Sequence, residues 1–351
     1  MKYPKVNQNK LLFPNESRME RWFGKQMFGQ LQEASAGLFC PTPILYTPDG
    51  DGIYATESGF MGTMRGGAFT SLSDLIAEAS AGKRQDFMWQ KVGTATNAAG
   101  AGIDLWRVGN LPATAAAAAA LAAGTHNDNT TTGGLQQTDP AGGDTLHLTT
   151  MIGQASVVPN LLLMYDRLWN GLIALSSLAA QTCTLTGYPN STGRYSTAAT
   201  SVGNFAFVSN PGGATFTAVG HTWTMNYTDN AGSASENAAA WTGVSGLLVN
   251  GIDHASQWYI PLNAGDTGIQ DINSITCSVN TLAAGSPTMV LAHPLALMPQ
   301  LVANAAVVMD GINSAFNLVE LKTDAAVAFL EMPKPATTAT TYIGQATLVS
   351  G

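Results

Sequence analysis

Hydrophobic and polar positions alternate with a period of two over much of the second half of the chain. In HTWTMNY (221–227), Trp223, Met225 and Tyr227 fall on one side of a strand, and polar residues fall on the other. Similar runs recur between turn signals rich in Gly, Asn and Pro. These runs predict strands at 145–150, 159–168, 204–209, 221–228, 247–250, 256–262, 271–279, 288–293, 326–332 and 341–348.

Helical patterns are fewer. Apolar spacing and capping residues predict helices at about 18–34, 73–81 and 300–315, the second of them ended by Gly82. The segment TAAAAAALAAG (114–124) has two interpretations. Alanine propensity favours a short helix, whereas the surrounding low-complexity sequence favours a compact loop of small residues.

Strands at this spacing, with almost no helix between them, predict a mainly β chain. We expect an antiparallel β-sandwich or jelly-roll-like domain with an extended N-terminal arm and a few short helices. The predicted divisions are an arm over 1–39, a turn-rich and Ala/Gly/Thr-rich region over 40–144, and the sandwich domain over 145–351.

Charge is scarce and unevenly distributed. Only 11% of residues are charged, against about 25% in an average soluble domain. Because monomers use surface charge to stay apart, we expect much of this surface to face other subunits. The alternative is a β protein that relies on Thr, Ser and Asn for solubility. No Lys or Arg lies between Tyr195 and Leu321, a composition that disfavours binding to nucleic acid.

The first 25 residues are different, since they hold six bases and two acids. A basic arm can bind nucleic acid or an acidic protein neighbour. We favour a neighbouring protein, with any nucleic-acid contact confined to this arm, because large apolar side chains accompany the bases. The candidate inter-subunit contacts in the arm are Leu11, Leu12, Phe13, Trp22 and Phe23.

Motifs for catalysis or metal binding are missing from the sequence. The histidines lack ligand spacing, and no GxSxG, HExxH or P-loop motif occurs. The cysteines Cys40, Cys183 and Cys277 are widely separated, which favours reduced, buried thiols. We therefore expect no enzyme activity, no cofactor and no metal. The adjacent Trp258 and Tyr259 fit a buried strand face better than a carbohydrate platform.

The sequence also predicts no contact with a membrane. No uninterrupted apolar run reaches the roughly 18–20 residues of a membrane span, and the N-terminus has no apolar signal core. We therefore expect a soluble chain without an export signal.

The stretch NLLLMYDRLW (160–169) places an acid beside a base in an apolar strand. Strand alternation puts Asp166 and Arg167 on opposite faces, so they cannot form a simple mutual pair. Each needs its own partner, or lies at a strand end where it reaches water. Arg167 is a candidate for a structural ion pair or for an inter-subunit clamp on a carboxylate.

Four further segments carry a family resemblance. LLLMYDRLW, MNYTDNAG, YIPLNAGDTGIQDINSITCSV and VLAHPLALMP, in that order, resemble a group of structural proteins of tailed bacteriophages. DLWRVGNLPA and TDPAGGDTLHL are also similar, so the resemblance spans about residues 104–351. The turn positions within these motifs are expected to be structural, since such acids and glycines shape the turn backbone: Asp229, Gly232, Gly265, Asp266 and Gly268.

The resemblance implies a virion structural protein that binds copies of itself and other virion proteins. It also implies that the chain is located in the virion and is assembled in the host cytoplasm. We expect a capsid subunit, or a decoration protein that cements the shell. One alternative is a major capsid protein of the usual α+β fold of tailed phages, which a helix of about 20 or more residues in the first third of the chain would favour. Another is a tail or fibre component that binds host glycan through Trp258 and Tyr259.

Overall fold

The computed structural model describes residues 69, 72–93, 102–174, 179–185, 194–212, 214–217, 219–255, 257–279, 285–312, 318–332 and 338–351. It also describes the backbone of a two-stranded hairpin, β1 (Leu45–Tyr46) with β2 (Ile53–Tyr54). The predicted helix at 18–34 and the whole arm over 1–39 lie outside these residues.

The described residues are mainly β-strand, and their longest helix, α1, covers only Leu72–Glu78. A π-helical turn at Ala79–Lys83 and a 3-10 turn at Leu121–Ala123 complete the helical structure there. The remaining strands are β3 (Arg84–Val92), β4 (Ile103–Asp104), β5 (Asn110–Leu111), β6 (Thr125–His126), β7 (Leu146–Ala155), β8 (Asn160–Leu172), β9 (Gln181–Thr182), β10 (Phe205–Ser209), β11 (Thr222–Asp229), β12 (Glu236–Asn237), β13 (Trp241–Thr242), β14 (Ile269–Cys277), β15 (Thr288–Gln300), β16 (Val307–Asp310), β17 (Val319–Leu321), β18 (Val327–Glu331) and β19 (Thr341–Ser350).

These strands form three larger sheets, and all their pairings are antiparallel. The central sheet has the order β10-β15-β8-β18-β4, with β6 also on β8. The small sheet has the order β12-β11-β14-β9, with β13 on β11, and the terminal sheet has the order β16-β7-β19-β3-β5, with β17 on β7. The predicted fold class, a mainly β chain with antiparallel packed sheets, is confirmed.

The long strand β8 organises the core because its two halves and two faces meet different partners. Leu162 and Met164 pack in a cluster with Trp89 and Tyr342 of the terminal sheet. The alternate residues of β8, such as Tyr165, pack on the opposite face beneath Trp106 and Ile252. The far end of β8, at Leu168 and Trp169, packs against the small sheet. Because alternate residues of a strand point to opposite faces, β8 contributes side chains to three hydrophobic clusters.

Eight of the ten predicted strands are present, with ends shifted by a few residues. HTWTMNY behaves as predicted, since Trp223, Met225 and Tyr227 of β11 are fully buried and Thr222 and Thr224 are exposed. Strand β15 is longer than predicted and continues through Pro294 to Gln300. The pairing of β15 with β8 shifts register between Leu291 and Ala292 and again between Pro294 and Ala296. Such shifts are typical of β-bulges, which leave an extra residue unpaired in one strand.

Three predicted elements are wrong. Residues 247–250 form no strand and contain a turn at 249–250. The described residues at 257–262 form no strand either, although both segments look apolar. The predicted helix at 300–315 is replaced in its described part by the end of β15, a turn and strand β16. A short segment with apolar residues on several sides can form either a packed helix or a strand. Here the segment forms a strand, because β16 pairs with β7.

The alanine-rich segment is a loop, not a helix. Residues 113–119 have no regular structure, and only Leu121–Ala123 form a short 3-10 turn. Its backbone forms a hydrogen bond to another strand instead of one within a helix: the amide of Leu172 in β8 donates to the carbonyl of Ala119 at 2.6 Å. A Cβ atom on Gly124 would lie 2.0 Å from the ring of Trp169, so only glycine fits this approach. Tertiary contact has overridden helix propensity.

The start of the described chain is joined to its end. Strand β3, which the sequence patterns do not predict, pairs with the C-terminal strand β19 along nine residues. Just before it, Phe69 and Leu75 pack against Val349 of β19 and Leu318. The predicted helix at 73–81 is present as α1 and the following turn. Phe69, the first residue of the described body, thus lies beside the terminal sheet.

Candidate functional site

Asp166 and Arg167 lie on opposite faces of β8 and have separate partners. Both side chains are completely buried. Arg167 forms an ion pair with Asp104 of β4, and Asp166 forms one with Arg194. The two bases between Val108 and Leu321 are therefore both used inside the subunit.

Asp104 is the acceptor at the centre of the first buried cluster. Its Oδ2 accepts hydrogen bonds from Arg167 Nη1 at 2.9 Å and Ser209 Oγ at 3.1 Å. Its Oδ1 accepts from the Tyr165 hydroxyl at 2.9 Å and the backbone amide of Trp106 at 3.1 Å. The Trp106 ring lies 4.9 Å from the Arg167 guanidinium carbon and covers the cation. The cluster joins β4, β8 and β10.

Arg194 organises the second cluster from a loop. Its Nε lies 3.0 Å from Asp166 Oδ2, and its Nη2 donates to the carbonyl of Asn127 at 2.6 Å. Its Nη1 donates to the carbonyl of Asp324. Asp166 Oδ1 accepts from the amide of Ala326 at 2.9 Å. One guanidinium thus ties three distant segments to β8.

Burial and pairing set the protonation of both clusters. Burial opposes the charge on Arg167, but Asp104 and Tyr165 outweigh it and hold the pKa of Arg167 above its ordinary value. Burial raises the pKa of the Tyr165 hydroxyl far above its ordinary value, so it stays a neutral donor. Burial also raises the pKa of Asp166, and Arg194 opposes that rise. These groups form a structural network, since none has an exposed atom to offer a substrate.

The sequence suggested two roles for Arg167, a structural ion pair and an inter-subunit clamp on a carboxylate, and its position distinguishes between them. It forms a structural ion pair within the chain. Its side chain has 0% exposure, so it has no surface with which to clamp a carboxylate of another subunit.

A third buried charge lies near the small sheet, where sequence reasoning found no pair. Asp253 Oδ2 lies 2.7 Å from both His221 Nε2 and Trp223 Nε1. Its Oδ1 accepts from the amide of Val244 at 2.6 Å, and its carbonyl accepts from Trp241 Nε1. Although burial opposes it, Asp253 raises the pKa of His221. Asp253 lies 32 positions after His221 in the sequence, so no spacing motif connects the two residues.

Lys91 is a further buried basic residue, and no carboxylate of the described residues lies within ion-pair distance of it. Its Nζ donates to the carbonyls of Val108 at 3.1 Å and Pro112 at 2.8 Å. Burial lowers the pKa of Lys91 to about 8, and the charge of Asp104 opposes that change. Lys91 therefore fixes the loop that leads into β5.

The turn residues singled out by the motifs hold two turns of the small sheet. Asp229 Oδ1 accepts from the amide of Ser233 at 2.6 Å around the turn that contains Gly232. In the next turn, which contains Gly265, Asp266 accepts from the Tyr227 hydroxyl. A Cβ atom on Gly268 would lie 2.0 Å from the carbonyl oxygen of Ser201, which requires glycine there.

The terminal sheet carries large apolar side chains on its outward face. Its inward face, with Trp89 and Tyr342, is buried. Register places Val308, Ile152, Gln345 and Met88 in one row across four strands, and Gln154, Ile343, Gln90 and Leu111 in the next row. We call the five exposed apolar residues in these rows the open face: Met88, Leu111, Ile152, Val308 and Ile343.

Ionic groups are confined to one end of this sheet surface. Arg84 and Asp86 pair with each other at 2.8 Å, and Asp310 accepts from a neighbouring amide. The two apolar rows themselves contain only glutamine as polar residues. Val308 and Met88 are 58% and 59% exposed. A contiguous apolar surface of this kind is typical of a protein contact.

Sequence reasoning missed the open face and placed its contact candidates elsewhere. Leu11, Leu12, Phe13, Trp22 and Phe23 lie outside the described residues, so their contacts stay a prediction. A signal existed in β19, where YIGQA alternates buried and outward positions. Only the register of β7 and β16 shows that Ile343 has apolar neighbours across the sheet.

The candidate carbohydrate platform is partly packed. Trp258 lies against Phe205 in the core cluster of the central sheet, with ring centroids 5.0 Å apart. Tyr259 is more exposed and contacts Trp258 edge-on. In the described part of the chain, no His, Cys, Asp or Glu cluster is placed to hold a metal. No helix in that part is long and apolar enough to span a membrane.

Comparisons with known proteins give no family for this chain. No family model and no curated protein matches the sequence. Matching solved structures include infectious bursal disease virus, Gt strain, at 12% identity and a TM-score of 0.14, covering 76% of this chain and 81% of that chain. A VP2 subviral particle of the same virus matches at 14% identity and a TM-score of 0.12, with the same coverage. Such low TM-scores mean that the chain paths do not superimpose.

Proposed function

We propose that this chain is a non-enzymatic structural protein of a tailed-bacteriophage virion. It assembles into the capsid shell, or cements that shell, through contacts between subunits. The observation that carries the proposal is the open face, an apolar sheet surface that a soluble monomer has no reason to leave uncovered. The sequence resemblance over residues 104–351 and the scarcity of surface charge support it.

The buried charges fit a building block better than a catalyst. Arg167, Asp104, Asp166 and Arg194 satisfy one another inside the body and fix strand register. The described residues form antiparallel sheets around buried ion pairs, which suits a subunit held by its neighbours in a shell.

The decisive experiment compares the full chain with a variant lacking residues 1–39. We expect the full chain to form closed particles, measured by light scattering and electron microscopy, and the shortened chain to stay small. Circular dichroism checks that the shortened chain keeps its β structure. Folded shortened chains that assemble like the full chain would contradict the role of the arm. A full chain that binds preformed shells but forms none alone would identify a decoration protein.

A glycan-binding tail or fibre component is the second candidate, favoured by the exposed Tyr259 beside Trp258. Titration of the full chain on immobilised bacterial surface glycan tests it. Binding that Tyr259→Ala removes, with unchanged stability, would support this alternative over a shell role.

The α+β capsid fold receives no support among the described residues. The helix that would have favoured it ends at Glu78 and gives way, after a turn, to strand β3.

A further inference from the structure

We propose that the open face of the terminal sheet is the docking surface for the N-terminal arm, residues 1–39, of a second copy of this chain. The inference rests on the proposed assembly function and deepens it by naming both contact surfaces. It follows from the chemistry of the face, the charge of the body and the place where the arm leaves the body.

The open face needs an apolar occupant without strong charge requirements. Its two rows present five large apolar side chains, separated by Gln90, Gln154 and Gln345. The arm offers the matching chemistry in Leu11, Leu12, Phe13, Trp22 and Phe23. Aromatic and aliphatic anchors of this kind supply most of the free energy of binding at protein interfaces.

Charge favours the arm over a second body as the occupant. The described residues contain 7 bases and 17 acids, a net charge of −10. The first 25 residues contain six bases and two acids, a net charge of +4. Two acidic bodies repel each other, whereas a basic arm is attracted to either one.

Chain length allows the arm to reach a neighbour. The body begins at Phe69, which packs on Val349 at the end of the terminal sheet. Because Leu45 of β1 pairs with Tyr54 of β2, residues 45–54 add no reach, and 19 other residues remain between positions 40 and 68. They can span up to about 60 Å at roughly 3.3 Å per residue. A subunit of this length is about 40–50 Å across, so the arm can cross to the next body.

Disulfide trapping in the full chain tests the pairing directly. One copy carries Leu12→Cys and a second, differently tagged copy carries Ile343→Cys, both with Cys40→Ser to remove that thiol. We expect a mixed-tag dimer under mild oxidation. The matched control places the cysteine at Val202→Cys, which is exposed but lies away from the terminal sheet, and it should give no such dimer.

A second pair of variants tests the row that contains Val308, which carries no introduced cysteine. Val308→Lys in the Ile343→Cys copy removes an apolar contact and opposes the basic arm. Because burial of one such side chain is worth about 1.5 kcal/mol or more, the yield of trapped dimer should fall about tenfold. Val202→Lys should leave the yield unchanged.

The outcomes separate this inference from the proposed function. Trapped mixed-tag dimers support the inference, even if no shell forms and the shell function fails. Assembled particles without trapped dimers overturn the inference alone. Cross-links confined to a single chain that carries both cysteines show docking within one subunit and overturn it. Cross-links between two Ile343→Cys faces show direct packing of bodies and overturn it as well.

Discussion

Charged side chains usually lie on the surface of a protein and large apolar side chains in its core. The central sheet departs from this pattern by burying charge, and the terminal sheet departs from it by exposing apolar residues. Two ion pairs are buried at the central sheet, Arg167 with Asp104 and Arg194 with Asp166, and none of these side chains has exposed surface. The terminal sheet exposes five large apolar residues in two ordered rows. These four charges form ion pairs within the chain, whereas the exterior apolar rows have no cover among the described residues. This contrast suggests that the body is complete in itself and that the open face serves a second molecule.

The largest effect should come from breaking the buried pair of the central sheet. Arg167→Met leaves the Asp104 carboxylate without its counter-charge, and removing one partner of a buried pair costs about 3–5 kcal/mol. Denaturant unfolding measures the loss.

The double variant Asp104→Asn with Arg167→Met should lose much less than the sum of the single variants, because no uncompensated charge remains. Arg84→Met breaks the matched exposed pair with Asp86 and should cost less than about 1 kcal/mol. Equal losses at the two pairs would contradict the comparison.

Lys91 should give the next largest effect, and it appears as a dependence on pH. The folded pKa of Lys91 is about 8 against an ordinary 10.5. Between these values the unfolded chain binds a proton that the native chain lacks, so this group increases stability as pH rises. The gap corresponds to about 3 kcal/mol.

The measurement is the difference in unfolding free energy between wild type and Lys91→Met at pH 7.5 and at pH 10.5. Taking this difference cancels the contributions of groups that both proteins share. One such group is Cys183: burial raises its pKa to about 12, so its contribution to the pH dependence of stability has the opposite sign. A difference that stays constant with pH would exclude this role for Lys91.

His221 should give a smaller effect with the opposite sign. Its folded pKa is raised by Asp253, so its contribution is fully present below the unfolded value of about 6.5 and is lost as pH rises through the folded value. His221→Gln should therefore cost most at low pH, about 1.5–3 kcal/mol for a hydrogen bond to a charged group. Urea unfolding at pH 5.5 and pH 9 checks the trend, and a larger cost at pH 9 would contradict it.

The open face should give the smallest effect on stability. Val308→Gln and Met88→Gln change exposed positions, and such substitutions usually alter unfolding free energy by less than about 0.5 kcal/mol. We expect normal unfolding together with reduced assembly in light scattering. A large loss of stability would show that the face is already covered within the subunit.

Several features were predictable because they depend on local periodicity. Eight strands, the antiparallel class and the burial of Trp223, Met225 and Tyr227 follow from period-two alternation. The separation of Asp166 from Arg167 also follows, since adjacent strand residues point to opposite faces. The failures occur where pairing with distant strands overrode local signals, as at the alanine-rich loop and at β16.

The sequence by itself determined that this chain is β-rich, poor in charge, acidic in its body and basic in its arm. Only the tertiary structure decided which carboxylate each buried base binds, because Asp104 lies 63 residues from Arg167 and no spacing rule connects them. It also decided that the apolar residues of β3, β7, β16 and β19 share one exposed surface. Alternation assigns each residue to a face of its own strand, but strand order and register decide which faces join and whether anything covers them.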